Sequence, residues 1–207
     1  MDLIFLVVAA VVVLALFFDF TNGFHDTANA MATPIATGAL KPKVAVGIAA
    51  VMNLLGAFLS TEVAKAISVS LIHEDAQATL FVGVTGAQMV FAGLTGAILW
   101  NLTTWFLGLP SSSSHALFGG LIGAALAFAG FSAINGPAVF EKVIIPAFAA
   151  PVIAGISAFL ATRVAYLISS RSQTARAKTG VGTGRDRFKV GQIFSSSLLA
   201  LSHGTND

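Results

Sequence analysis

The chain has 207 residues, of which 56% are hydrophobic and 10% charged, with a formal net charge of +2 and a mean hydropathy of +0.87. Soluble domains carry about 25% charged residues, so a water-soluble fold is excluded, and a small, locally clustered positive charge does not describe a nucleic-acid binder. Cysteine is absent, which removes disulfides and thiolate metal sites.

A helix that crosses a bilayer needs about 20 mainly apolar residues. The first such stretch is Leu3 to Phe20. Met1-Asp2-Leu3 offers no basic region of a cleavable signal, so this stretch reads as a retained span. Val44 to Ser60 is the second, with an extension toward Ile72, and Thr79 to Leu107 the third. Ala116 to Phe131 is a short fourth, Ile144 to Ile168 the fifth, and Gly191 to Asp207 begins a sixth. Gly, Ser, Thr and basic residues fill Ser172 to Gly184, the composition of a linker. The expected organisation is a membrane repeat over 1–170, a basic cytoplasmic linker over 171–189, and the opening of a second repeat over 190–207.

Charge fixes the expected orientation. Lys41 and Lys43 follow span one, and Arg171, Arg176, Lys178, Arg185, Arg187 and Lys189 follow span five. Cytoplasmic loops are enriched in Lys and Arg, which places both loops inside. The loops holding His73-Glu74-Asp75 and Glu141-Lys142 then lie outside, as does the N-terminus.

A polar run closes the first span: Asp19-Phe20-Thr21-Asn22-Gly23-Phe24-His25-Asp26-Thr27-Ala28-Asn29-Ala30. Leu201-Ser202-His203-Gly204-Thr205-Asn206-Asp207 repeats its character, with Gly204 standing 181 residues after Gly23. Polar groups at membrane depth are costly and mark function. The alternation of spans puts the two runs on helices of opposite direction, the pattern of an inverted repeat. Gly23 beside the capping residues Thr21 and Asn22 predicts a broken helix. Asp26 and Asn29 share a face of the helix that follows. Asp26 can hold a hard cation or a proton, while Thr27 and Asn29 can donate to an oxyanion.

Pro110-Ser111-Ser112-Ser113-Ser114-His115 is the second motif. Proline suits a first helical turn, and serines satisfy free N–H groups there. A helix N-terminus attracts anions, and its hydroxyls can replace the water shell of a tetrahedral oxyanion. Because span four is short, Leu109 to His115 reads as a re-entrant segment. His25 and His115 read as hydrogen-bonded structural histidines, and Glu62 and Lys65 as a simple pair. Gly83, Gly86, Gly93 and Gly96 read as close-packing positions. Trp100 and Trp105 fit an aromatic belt, and Asn101 is a candidate site residue, although binding to a neighbouring backbone is the expected role.

The run Asp19 to Ala30 closely resembles the signature of the PiT family of inorganic phosphate transporters, and its His25-Asp26 form is similar to the bacterial low-affinity branch. Trp100-Asn101-Leu102-Thr103-Thr104-Trp105, followed by Gly108-Leu109-Pro110 and the serines to His115, resembles the second signature. Leu201 to Asp207 resembles the start of the C-terminal one. The fold this implies is an all-α polytopic membrane protein, an inverted-repeat transporter with broken and re-entrant helices, in the bacterial inner membrane. The activity implied is low-affinity symport of phosphate, not an enzymatic reaction. Phosphate would meet Asp26, Thr27, Asn29, Ser111, Ser112, Ser113, Ser114 and Asn206. Asp19, Asp26 and Asp207 would take the coupling cation or proton.

No cofactor or resident metal is expected, although a proton, sodium ion or divalent metal-phosphate complex would travel as cargo. The partners are phosphate and the lipid bilayer, with no nucleic acid; a homo-oligomer stays open. Since the family's second half continues past its signature, the chain is expected to be a fragment that does not transport alone. Two other readings remain. Another oxyanion such as sulphate could be the substrate of a transporter or channel, or a serine of Ser111–Ser114 with His115 could form a membrane-embedded hydrolase. The hydrolase leaves the repeat unexplained.

Overall fold

The structure is a computed structural model that describes residues 3–59, 71–72, 76, 82–109, 111–179 and 185–206, without the side chains of Asp26, residues 169–187 and Asn206. Among the described residues, six long helices carry it: α1 Leu3–Ala36, α2 Pro42–Leu59, α3 Gly83–Phe106, α4 Ser113–Ala129, α5 Ile145–Thr179 and α6 Arg185–Asn206. No strand occurs among the described residues, only an isolated antiparallel bridge between Ile72 and Ile134. The expected Glu62–Lys65 pair, the His73–Asp75 loop, Pro110 and Asp207 lie outside the described residues, as do residues 180–184 of the linker.

The first span is much longer than the apolar stretch predicts. With 34 residues at about 1.5 Å each, α1 is about 50 Å long, against a hydrocarbon core of about 30 Å. It runs unbroken through the polar motif, so the expected break at Asn22–Gly23 is absent. Gly23 keeps a negative φ. Thr21 caps nothing, because its hydroxyl donates to the Phe18 carbonyl at 2.8 Å. The physical reason is the apolar surround, in which no water takes over the N–H groups a break would free. The helix stops two residues after Pro34. There Gly38 turns the chain at φ 67° and the Ala39 N–H donates to the Pro34 carbonyl, a glycine-based C-terminal cap. Proline then opens α2 at its first position, where no N–H is needed.

Packing follows the small residues. The backbones of α3 and α4 approach closely at Gly93 and Gly120, as expected for Gly93 of the glycine series, whereas a Cβ on Gly83 would meet nothing. Three apolar clusters fix helix directions. Phe18 of α1 packs with Leu94, Ala97 and Ile98 of α3 and Ala116 of α4. Ala30 and Met31 of α1 pack with Ala45 and Ala49 of α2 and Ala200 of α6. Ile72 joins Met89 of α3 and Ala124 and Ala125 of α4. Gln192, early in α6, accepts from Thr37 just past the end of α1 at 2.8 Å. Thus α1 runs parallel to α3 and antiparallel to α6. The two polar motifs occupy helices of opposite direction, as the loop charges predict.

Among the described residues, four helical stretches are long and apolar enough to cross a membrane: Leu3–Ala36, Pro42–Leu59, Gly83–Phe106 and Gly136–Ile168. Ser113–Ala129 is apolar but shorter. The fourth stretch continues through a π-helical turn at Phe140–Ile144 into α5 and buries none of its most apolar window. Phe148, Ile153, Phe159 and Leu160 are all exposed on it, the surface a lipid-facing helix presents. The backbone of α5 stays helical to Thr179, so Ser172–Thr179 is helix rather than loop. The Arg, Gln, Ala and Lys residues there are good helix formers. The chain is an all-α, multi-pass membrane protein.

Candidate functional site

The turn from α3 to α4 builds the serine motif. Gly108 adopts φ 65°, and the Leu109 N–H donates back to the Thr104 carbonyl at 2.8 Å. Ser112 is the N-cap of α4, with extended angles, and its hydroxyl accepts from the His115 N–H. That hydroxyl also lies 2.9 Å from His115 Nδ1, so Ser112 both caps the helix and holds the imidazole. Ser111 is held from α3, where the Trp100 Nε1–H donates to its Oγ at 3.0 Å. Ser113 is buried at the first helical position, and its Oγ has no hydrogen-bond partner among the described residues. Trp100, Ser111, Ser112 and His115 form the polar end of a groove of about 780 Å³, whose remaining lining is alanine and glycine.

Helix α1 meets this turn through α3. His25 Nε2 lies 3.1 Å from the Asn101 carbonyl; since a carbonyl only accepts, Nε2 carries the proton. Thr104 donates to the same carbonyl at 3.0 Å. Phe24 packs edge-on against Trp105, with centroids 5.5 Å apart. His25 and His115 are thus hydrogen-bonded, as expected. Asn101 differs from expectation: its backbone is bonded, but both side-chain polar atoms are buried with no partner among the described residues. Trp100 and Trp105 each tie α3 to a motif, Trp100 to the serine run and Trp105 to Phe24.

The helices that carry the two repeated motifs pack against each other. Ala200 packs beside Ala30 and Met31, and the antiparallel register carries Gly204 level with the His25–Thr27 turn of α1. On its other side Gly204 abuts the Asn53 backbone of α2. The sequence reading missed Asn53. Its side-chain oxygen is buried without a partner among the described residues, and only its position within the apolar stretch that follows Lys43 in α2 could have flagged it.

The expected ligands divide accordingly. Thr27 is partly buried on α1, while Asp19 and Asn29 lie on its exposed side. Asp26 and Asn206 are placed by their backbones alone. Ser111 and Ser114 are partly buried, Ser112 exposed and Ser113 buried.

Residues 22–207 match the phosphate transporter family. The chain belongs to that family. A probable low-affinity inorganic phosphate transporter of Mycobacterium leprae is 51% identical over 197 residues, covering 95% of this chain and 44% of the relative. A relative of the same description in Bacillus subtilis is 41% identical over 207 residues, covering 100% of this chain and 58% of its own length. Another, in Streptomyces halstedii, is 42% identical over 197 residues, covering 95% and 85%. The chain spans about half the length of the mycobacterial relatives it matches. No solved structure matches it. The family is one of transporters, which sets the hydrolase reading aside.

Proposed function

We propose that this chain forms one repeat of a low-affinity phosphate symporter, and that phosphate binds where the N-terminus of α4 faces the polar run of α1. Ser111, Ser112, Ser113 and Ser114 supply hydroxyls and free N–H groups, and Thr27 and Asn29 add donors from α1. Asp26 takes the coupling cation or proton, with Asp19, about two turns earlier on α1, as the second carboxylate for that role. Asn206 and Asp207 contribute from the mirrored motif. The observation that carries this reading is the capped, serine-lined N-terminus of α4, with α3 holding it to α1 through His25. A helix N-terminus presents unpaired N–H groups and a partial positive charge to an anion. No Lys or Arg lies in Phe17–Ala36 or Leu109–Ala129, so binding relies on dipoles and a co-bound cation, which suits release as well as capture.

Helix length supports a re-entrant approach. The 17 residues of α4 span about 25 Å, short of a core of about 30 Å, so its N-terminus sits below the surface. The topology proposed has the N-terminus outside and the Lys41 loop inside, which cysteine labelling of the His73 loop tests.

Radiolabelled phosphate uptake into proteoliposomes tests the function, with residues 1–207 replacing the matched segment of the Mycobacterium leprae relative. Sodium and proton gradients are imposed separately. Saturable, gradient-driven uptake that Asp26→Asn abolishes is the expected result and names the coupling ion. Uptake of sulphate or chloride with no phosphate uptake rejects the substrate.

A further inference from the structure

Asn101 is 1% exposed, and both Oδ1 and Nδ2 are buried without a hydrogen-bond partner among the described residues. Burying an unpaired amide is costly, so a side chain kept in that state marks a position made for something else. Its neighbours follow from helix register. Along α3 and α4, Gly93 meets Gly120 and Leu121, and Ala97 shares a cluster with Ala116. One further turn brings Asn101 opposite Ser113 at the start of α4. Along α1 and α3, Phe18 packs with Ala97 and Ile98, and His25 reaches the Asn101 carbonyl. The turn between them on α1 holds Asn22.

A polar layer therefore lies one turn beyond the Phe18–Ala97–Ala116 packing. Ser113 Oγ and Asn22 Oδ1 in that layer are likewise buried without partners among the described residues. The unused groups are two amide oxygens, one amide N–H₂ and one hydroxyl. A bare cation would use the oxygens and leave the amide N–H₂ unpaired. A protonated oxyanion serves both kinds of group: its O–H donates to one amide oxygen, and its charged oxygens accept from Nδ2 and the serine hydroxyl.

We propose that Asn101 is a binding and specificity-determining residue of this site, which reads the proton of hydrogen phosphate. The inference rests on the phosphate reading given above and deepens it. At neutral pH phosphate still carries a proton and sulphate carries none. Sulphate would therefore leave the Asn101 oxygen unpaired. A site built to pair a substrate O–H rejects the analogue that lacks it.

The test uses the same chimera in proteoliposomes, comparing wild type with Asn101→Leu and Asn101→Gln. Leucine has the same branched four-atom skeleton as asparagine and removes both polar groups. The expected result for Asn101→Leu is a KM for phosphate raised about tenfold, the effect of one lost hydrogen bond of about 1.4 kcal/mol. The maximal rate stays within about twofold, and the preference for phosphate over sulphate, read from sulphate inhibition of uptake, falls about tenfold. Asn101→Gln, which keeps both groups, recovers part of the affinity. The thermal midpoint of Asn101→Leu equals or exceeds that of wild type, because an unpaired buried amide has been removed. An unchanged KM and preference would overturn the role of Asn101. So would a raised KM accompanied by a lowered thermal midpoint, which signifies a structural residue. A wild-type chimera that takes up no phosphate rejects the symporter reading itself, and this inference with it.

Discussion

Gly204 of α6 lies directly on the backbone of Asn53 in α2, so close that a Cβ at 204 would overlap the Asn53 carbonyl. Gly56 does the same one turn along, where a Cβ would stand 2.7 Å from the Gly204 carbonyl carbon and 2.8 Å from the Thr205 nitrogen. The repeated motif on α6 is thus locked to α2 by two glycines. Both colliding groups are backbone, which cannot swing aside. Gly204→Ala and Gly56→Ala should each cost about 1–3 kcal/mol, the range for forcing extra carbon into a packed interface. Gly47→Ala, also in α2 but with nothing within 4 Å of its Cβ, should be neutral or gain about 0.5–1 kcal/mol from helix propensity. Thermal midpoints in detergent check this, and a Gly204→Ala protein as stable as wild type would refute the contact.

A matching contrast exists in α4. Gly120 faces the Gly93 backbone of α3, whereas Gly119 and Gly123 have nothing within 4 Å of a built Cβ. Gly120→Ala should push α4 off α3 and lower the thermal midpoint. Gly119→Ala and Gly123→Ala should leave it unchanged or raise it slightly, as Gly47→Ala does, because they only narrow the groove that begins at Ser111. If all three behave alike, the α3–α4 approach is looser than described here.

Much of this was legible in the sequence, for physical reasons that also explain the misses. The apolar stretches beginning at Leu3, Val44 and Thr79 gave the first three helices because bilayer thickness sets a minimum run. The loop lysines and arginines gave alternating directions, which the Thr37–Gln192 bond and the Ala30–Ala200 packing match. Gly23 misled because glycine is a helix breaker mainly in water; in an apolar surround the ladder of hydrogen bonds is worth more than the freedom of one residue. Asn101 was misjudged because a sequence does not say which atoms of a residue are already paired. Ser112 was read as a helix-capping serine and is one, but its second bond, to His115 Nδ1, depends on a turn that spacing alone does not fix.

That double role makes Ser112 separable by substitution. Ser112→Ala removes the cap and should cost about 1 kcal/mol, while Ser112→Gly should cost only a few tenths, because glycine tolerates the cap conformation. Both lose the 2.9 Å contact that orients His115. If Ser112 serves the anion site, the two variants should impair phosphate uptake equally despite their different stabilities. Uptake that tracks stability instead would reduce Ser112 to a cap.

Trp100 and Ser111 offer the sharpest test of the groove's polar end. An indole N–H is only a donor, so in the 3.0 Å bond from Trp100 Nε1 the serine oxygen is the acceptor. The Ser111 hydroxyl proton is therefore left to point elsewhere, and an oxyanion at the start of α4 is a suitable acceptor. Trp100→Phe keeps an aromatic ring, though a smaller one, and releases Ser111 to act as acceptor or donor indifferently. It should raise the KM for phosphate about threefold to tenfold, the worth of a neutral hydrogen bond of about 0.5–1.5 kcal/mol, with the maximal rate little changed. If Trp100 acts through Ser111, the effects are not additive. In a Ser111→Ala background Trp100→Phe should then change the KM by less than about twofold. A full effect of Trp100→Phe in that background would show that the indole contributes by packing or by its own contact, and the serine would lose its place in the anion site.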